Sequence, residues 1–106
     1  MLHRIRKILN VTPYTVTCEW RNGEVRTILM KDKLVEWAAE PGSVYKRLLD
    51  ADIFMNVDLD TESQTLFWAA LIKMVDANGE LSDATLDIDP EVLYQMSVPV
   101  ADNKAA

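Results

Sequence analysis

The chain of 106 residues has little of several things: one cysteine, one histidine, three glycines and no long hydrophobic run. The single cysteine, Cys18, excludes an intramolecular disulfide and an all-cysteine zinc site, and it favours a reducing, cytoplasmic setting. The longest nearly uncharged run, residues 63–72, is well short of the roughly 20 residues that span a bilayer, so no membrane segment is expected. The basic N-terminus lacks the apolar stretch of a secretory signal, so export by that route is not expected either.

The charged residues are distributed unevenly around a formal net charge of −6. Residues 1–33 hold seven basic and three acidic side chains, whereas residues 48–106 hold two basic and twelve acidic ones. An acidic protein repels phosphate backbones and attracts basic partners, so binding to nucleic acid is not favoured. The exception would be a patch formed by the basic residues near the N-terminus, which are Arg4, Arg6, Lys7, Lys31 and Lys33.

The clearest local pattern is a hairpin. Two alternating runs, residues 14–21 and 24–30, flank Asn22-Gly23, a pair that favours a tight turn with positive φ. The pairs that a two-residue turn sets opposite each other are Arg21–Glu24, Trp20–Val25, Glu19–Arg26 and Val16–Leu29. One face of this hairpin then carries ion pairs between oppositely charged side chains, and the other face is apolar and includes Cys18.

The sequence around this hairpin predicts a strand before it, and a helical segment and a further strand after it. Residues 5–11 favour a strand before the hairpin, although their alternation is broken. A short helix is expected to begin at Asp32 as its N-cap and to end before Pro41-Gly42, and residues 44–53 add further turns. Residues 54–60 alternate between apolar and polar side chains and predict a strand.

Residues 61–79 fit two structures, and local pattern does not decide between them. One is a helix with a capping box at its start; the other is a pair of strands, with turns at residues 61–64 and at Asn78-Gly79. Further on, Asp89-Pro90 is typical of an N-cap followed by the first residue of a helix. Residues 98–106 are expected to form a frayed, flexible tail.

Few residues are candidates for chemistry. His3 lies in an N-terminal segment expected to be mobile, and Cys18 lies on the apolar face of the hairpin without a visible base. The sequence has no phosphate-binding loop and no nucleophile motif, so we expect no enzyme, no cofactor and no metal site. Because Trp20 and Trp68 are expected in the core, Trp37 on its short helix is the best single candidate for an interface.

Two segments of the sequence resemble a bacterial family called domain of unknown function 2442. The first is Phe54-x-x-Val57-x-Leu59-Asp60-x-Glu62-x-x-Thr65-Leu66-x-Trp68. The second, which is the more specific, is Asp87-Ile88-Asp89-Pro90-Glu91-Val92-Leu93-Tyr94-x-Met96-Ser97. The hairpin around Asn22-Gly23-Glu24-Val25 also lies where the family has an early strand, so the resemblance covers roughly residues 8–97.

The resemblance implies a small α+β domain with a curved antiparallel sheet, which favours strands in residues 61–79. It offers no established catalytic residue to carry over. The sequence departs from the family after Trp68, where a stretch reaching about Thr85 indicates an inserted hairpin. Family members are often encoded beside another small protein, in arrangements that look like toxin–antitoxin pairs, which implies that this acidic chain is the neutralising partner.

Together these observations predict one small α+β domain over residues 1–97, with a hairpin-rich antiparallel sheet and one or two short helices packed on it. The expected function is non-enzymatic protein binding, with a basic protein as partner or a second copy paired through a sheet edge. The first alternative is a regulatory domain associated with nucleic acid through the basic N-terminal strands. The second is an enzyme or small-ligand binder with a pocket that the sequence does not reveal.

Overall fold

The computed structural model describes residues 2–75 and 77–100 of the chain. In this part, antiparallel strands and short helices form an α+β domain, as the sequence predicts. The strands are β1 Ile5–Thr12, β2 Thr15–Trp20, β3 Val25–Leu29, β4 Asp58–Asp60, β5 Thr65–Val75, β6 Leu81–Asp87 and β7 Ser97–Pro99. The helices are α1 Lys31–Ala38, α2 Ala51–Phe54 and α3 Pro90–Gln95, with a 3₁₀ helix at Val44–Leu49 between α1 and α2.

The strands form two sheets that meet near the start of β1. The first sheet has the order β1-β2-β3-β7, and the second has the order β4-β5-β6. The backbone N–H of Ile5 in β1 donates to the carbonyl of Gln64, in the turn between β4 and β5, at 2.9 Å. This bond joins neighbouring edges of the two sheets, so β7 and β6 form the outer edges.

The hairpin of β2 and β3 is confirmed, but the predicted register is wrong by one residue. Glu19 lies opposite Val25, and the loop has three residues instead of two. The N–H of Gly23 donates to Trp20 O at 2.9 Å, and the N–H of Trp20 donates to Glu24 O at 2.8 Å. Gly23, at φ +91°, supplies the left-handed conformation that a three-residue loop with a bulge requires.

Burial of side chains on β3 explains this register. The predicted register would place Ile28 and Met30 on the charged face, whereas the three-residue loop moves both into the core, where they are fully buried. Val25 and Leu29 are exposed instead. The predicted ion pairs across the hairpin are therefore absent. Glu19 pairs with Arg6, and Arg26 pairs with Glu24. The side-chain amide of Gln64 lies beside Arg21, and its oxygen accepts from that guanidinium in the amide orientation that satisfies both groups.

Two predictions for the first half of the chain need correction. Asp32 is not the N-cap of α1. The N-cap is Met30, two residues earlier; this buried residue donates its N–H to Tyr14 O, and its carbonyl accepts from Leu34 N–H. The strand predicted for residues 54–60 is limited to β4. Its first residues instead end α2, which Asp50 caps by accepting from the N–H groups of the helix's first turn.

The described residues within 61–79 form strand β5 and the turns on either side of it, so the helical interpretation is wrong. Residues 61–64 make the turn between β4 and β5, and residues 77–79 lie in the turn between β5 and β6. β5 continues to Val75 and pairs with β6, with a register shift between Trp68 and Ile72. The hairpin beyond Trp68 that the sequence indicates is thus present, although Asp76 lies outside the described residues.

The end of the chain is more ordered than predicted. Asp89 caps α3 by accepting from Glu91 N–H at 2.8 Å, with Pro90 at the first helical position, as the sequence predicts. The tail expected from residue 98 is wrong at its start, because β7 pairs with β3 and the N–H of Val100 donates to Val25 O at 3.0 Å. The remainder of the predicted tail, residues 101–106, lies outside the described residues.

One core lies between the sheets and the helices. Trp20 and Trp68 are 1% exposed, which confirms their predicted burial, and Cys18 is fully buried. Val16, Cys18 and Trp20 alternate inward from β2, as period-two strand geometry requires. From the second sheet Leu66 joins them in the same cluster.

Candidate functional site

Trp37, the predicted interface residue, is half-buried on α1. Its ring is tilted against Tyr45 of the 3₁₀ helix, with ring centroids 5.0 Å apart. Both rings pack against the core. Trp37 therefore presents only part of its ring to solvent, and its role as an interface residue stays a prediction.

The five predicted basic residues do not form one face. Arg4 lies at one end of the β1–β2 hairpin, where its carbonyl accepts from Arg21 N–H at 2.8 Å. Lys31 lies at the other end, 5.1 Å from the ring centroid of Tyr14. The eight residues of β1 separate these ends by about 25 Å. Of the others, Arg6 pairs with Glu19 at 3.1 Å, Lys33 pairs with Glu36 at 3.2 Å, and Lys7 is exposed on β1.

The N-terminal segment is held against α3, contrary to the mobility that the sequence predicts for His3. The imidazole stacks on Tyr94 with centroids 3.6 Å apart, and its Nδ1 lies 2.8 Å from Glu91 Oε1. The backbone N–H of His3 donates to Glu91 Oε2 at 2.5 Å. These hydrogen bonds hold the pKa of Glu91 below its ordinary value. We call His3, Glu91 and Tyr94 the N-terminal clasp.

Tyr94 also fastens α3 to the first hairpin. Its hydroxyl donates to Glu24 Oε1 at 2.5 Å, and the guanidinium of Arg26 lies 4.3 Å from its ring centroid. This hydrogen bond lowers the pKa of Glu24 and raises the pKa of Tyr94. Arg26 extends the network to β7 by donating from Nε to Ser97 Oγ at 2.6 Å. These contacts give Glu24, Arg26 and Tyr94 a structural role, because they hold α3 and β7 against the first hairpin.

A cleft of about 510 Å³ lies beside the N-terminal clasp, and four of its ten lining residues are acidic. Its carboxylates are those of Glu62, Asp87, Asp89 and Glu91, which face one basic residue, Arg4. We call it the acidic cleft. Because Asp87 is the last residue of β6, the cleft continues the line of that strand.

β6 is the longer of the two outer edges. It has seven residues, whereas β7 has three and ends at Pro99. An edge strand presents unpaired backbone N–H and C=O groups, and natural edges are often blocked by lysine or proline. β6 contains neither, and between Lys73 and Lys104 the sequence has no basic residue at all. Among the described residues no strand pairs with the outer side of β6, so this edge is both available for pairing and acidic.

The tip of the β5–β6 hairpin adds apolar surface to this edge. Val75 and Leu81 lie opposite each other, and they are 65% and 72% exposed. Exposed apolar side chains next to an open edge are typical of a surface that another chain covers. Sequence reasoning did not identify this site. The long stretch without basic residues is a signal for its charge, but the position of β6 at the edge depends on the strand order.

Other kinds of site receive little support from the described residues. Burial raises the pKa of the Cys18 thiol to about 12, so this thiol stays protonated at neutral pH and is a poor nucleophile. In residues 2–75 and 77–100, no three or more histidine, cysteine, aspartate or glutamate side chains are grouped to hold a metal ion. Within the same ranges, no helix is long and apolar enough to cross a membrane.

Fold and surface thus define an α+β domain with an open, acidic edge strand. No family model matches the chain, and neither a curated protein nor a solved structure matches it. The resemblance to domain of unknown function 2442 therefore stays a prediction.

Proposed function

We propose that this chain is a non-enzymatic protein-binding module that pairs the outer edge of β6 with a basic, extended segment of another protein. The observation that carries the proposal is the open seven-residue edge of β6. An added strand gains main-chain hydrogen bonds along such an edge, and side-chain contacts then select the partner. The exposed pair Val75 and Leu81 would contact apolar side chains at one end of the added strand.

Charge supports a basic partner over a second copy of the chain. β6 carries Asp83 and Asp87, and the acidic cleft beyond it adds the carboxylates of Glu62 and Asp89. Two copies would each bring a net charge of −6 to the contact, whereas a basic segment would be attracted to it. With the family resemblance, this suggests the neutralising partner of a small basic protein in the cytoplasm, a setting that suits a chain with one buried cysteine.

Strand geometry identifies which backbone groups such a partner would use. Ile88 N–H donates inward to Leu66 O at 3.3 Å. Because N–H directions alternate along a strand, those of Leu86 and Ala84 also face β5, and that of Thr85 faces outward. Proline at position 85 therefore blocks the edge while leaving the pairing with β5 in place.

The test is affinity purification of the tagged chain from extract of its native cell, with and without nuclease, followed by mass spectrometry. We expect a stoichiometric basic protein that survives nuclease. It should be lost from Thr85→Pro and retained by the matched control Thr85→Val, which keeps the N–H. Equal recovery with Thr85→Pro would contradict binding through β6, and loss on nuclease treatment would favour the nucleic-acid alternative.

A second pair of variants tests the charge argument. Asp87→Lys reverses one charge at the end of β6, and Glu40→Lys makes the same change in the exposed loop after α1. We expect Asp87→Lys to weaken binding of the recovered partner about tenfold or more at low salt, and Glu40→Lys to change it little. Equal effects of the two variants would show that net charge matters, and not the charge beside β6.

A further inference from the structure

The segment Leu2–Arg4, which precedes β1, crosses the surface where two cavities meet. Leu2 and Arg4 line the acidic cleft, and all three residues line a second, smaller cavity of about 190 Å³. Three residues at the end of the first hairpin complete this smaller cavity: Trp20, Arg21 and Asn22. Because two cavities adjoin it, the segment packs loosely against the domain. We call residues 2–4 the N-terminal strap.

One end of the strap is fixed to the domain by backbone hydrogen bonds. Arg4 O accepts from the N–H of Arg21 at 2.8 Å, and the N–H of Ile5, the first residue of β1, donates to Gln64 O at 2.9 Å. These bonds join the inner end of the strap to both sheets. A change in the backbone dihedral angles before Arg4 would therefore move the rest of the strap and leave the sheets intact.

The other end of the strap is held by the N-terminal clasp. Within the described part of the chain, the backbone of Leu2 and His3 forms no hydrogen bond with another backbone group, and Leu2 is 65% exposed. His3 therefore attaches the strap, through its stacking on Tyr94 and its two contacts with Glu91. A segment that depends on so few contacts opens at a low free-energy cost.

This attachment occupies one of the carboxylates of the acidic cleft. The N–H of His3 donates to Glu91 Oε2 at 2.5 Å and its Nδ1 lies 2.8 Å from Oε1, so both carboxylate oxygens contact the strap. Arg4 adds a positive charge to the lining of the same cleft. The strap thus brings to the cleft the groups that a basic peptide would bring, a backbone N–H and a cationic side chain. The side chain of Glu91 is 36% exposed, so a competing ligand can reach it.

We propose that the strap is an autoinhibitory contact: it competes with the partner's basic segment for Glu91, and it opens when that segment enters the acidic cleft. This inference rests on the proposed function, since it takes the basic partner as the competitor. While the strap is closed, the partner meets the three other carboxylates of the cleft, and the positive charge of Arg4 repels it. Because the partner binds the open form more tightly, opening the strap strengthens binding by the same factor by which binding favours opening.

The test uses acetylated tetralysine amide as the probe and the backbone amide resonances of the full, ¹⁵N-labelled chain as the readout. At low salt, the probe should move the His3 amide proton upfield in a saturable way, because its charge-assisted hydrogen bond to Glu91 is lost. The Ile5 amide, which donates to Gln64 O, is the internal control and should stay in place. Acetylated tetraserine amide, which has the same length and no charge, should have no effect.

A pair of variants tests the reciprocal effect with the same titration. His3→Ala removes the stacking and the Nδ1 contact that close the strap, and it should strengthen tetralysine binding about fivefold or more. Lys7→Ala, the matched control, removes one positive charge from an exposed position of β1 outside the cleft lining. It should strengthen binding by less than about twofold, because solvent and salt screen a charge at that distance.

Three results overturn the proposal. The probe binds, as seen at the amides of Glu62 and Asp87, without moving the His3 amide. The probe does not bind at concentrations up to about 10 mM, well above the millimolar range of weak ligands. His3→Ala binds the probe no more tightly than Lys7→Ala does. The first two results come from the unchanged chain and are independent of how any variant folds.

Failure of this inference can be told apart from failure of the proposed function. Thr85→Pro changes the edge of β6 and neither the strap nor the cleft lining, so tetralysine should displace the strap in this variant as well. If tetralysine opens the strap and no basic protein is recovered from the extract, the proposed function alone fails. If a basic protein is recovered through β6 and the strap stays closed in saturating tetralysine, this inference alone fails.

Discussion

Two hairpins of this molecule carry the same Asn-Gly pair and have different surroundings. Gly23 and Gly79 both adopt positive φ, at +91° and +82°. The first hairpin lies inside its sheet, with β1 on one side and β7 on the other. The second forms the end of its sheet, so that in residues 2–75 and 77–100 the strand β6 has β5 as its one neighbour. The same Asn-Gly turn therefore joins two strands inside a sheet in one place and leads to an edge strand in the other.

The burial of side chains follows this difference. On β2 every second residue is buried along the whole strand. On β5 and β6 burial is strong at the base, at Trp68 and Leu86, whereas Val75 and Leu81 at the tip are exposed. We therefore expect the first hairpin to contribute most to global stability, and the tip of the second to open locally at a low free-energy cost.

The largest expected effect comes from shortening one apolar side chain in each hairpin. Ile28→Ala removes a fully buried side chain of β3 and should lower the free energy of unfolding by about 3 kcal/mol. Leu81→Ala, at the exposed tip, should change it by less than about 0.5 kcal/mol. Urea denaturation followed by circular dichroism measures both. Similar losses would contradict the contrast between the hairpins.

An intermediate effect is expected from the two turn glycines. An alanine Cβ at Gly23 or Gly79 would meet no atom within 4 Å, so the cost comes from the positive φ alone, about 1–2 kcal/mol locally. Gly23→Ala should reduce global stability by that amount. Gly79→Ala should instead increase amide hydrogen exchange around Leu81 with a smaller change in the urea midpoint. If both variants lose about 1–2 kcal/mol of global stability, the tip unfolds together with the core.

The smallest effect is expected from acid, and it should involve Glu24 in the first hairpin and Glu91 in α3. The pKa values of Glu24 and Glu91 are lowered in the fold, mainly by hydrogen bonds from Tyr94 and His3. Their contribution to the free energy of unfolding is therefore complete above their ordinary pKa, about 4.3. It is lost as the pH falls through the lower pKa values of the folded state. Salt screening keeps it small, because both carboxylates lie at the surface.

Stability measured between pH 6 and pH 2 in urea checks this expectation. The double variant Glu24→Gln, Glu91→Gln should show a flatter decline with falling pH than the unchanged chain. Glu40→Gln, in the loop after α1, is the matched control and should decline like the unchanged chain. If the double variant declines as steeply, other carboxylates determine the sensitivity to acid.

The parts of the fold that sequence predicts well are those with local signals. The Asn22-Gly23 pair and the alternating runs around it predict the first hairpin, and Asp89-Pro90 predicts the start of α3. The burial of Trp20 and Trp68 follows from their places in apolar patterns. Each of these signals lies within a few residues of the element that it predicts.

The errors arise where distant parts of the chain decide the outcome. The hairpin register depends on burying Ile28 and Met30 in a core that the local sequence does not show. β7 has three residues and becomes a strand because β3 is beside it. The same limit applies to the candidate site, since the acidity of β6 can be read from its sequence whereas its open edge follows from the order of the strands.

The N-terminal clasp also has a consequence for how the molecule folds in time. His3 and Glu91 are 88 residues apart in the chain. The entropy lost on closing so long a loop is recovered only after the intervening strands have formed, so this contact belongs to the last steps of folding. The clasp then acts mainly on the rate of unfolding: it slows the first departure from the native state and has little influence on how fast that state is reached.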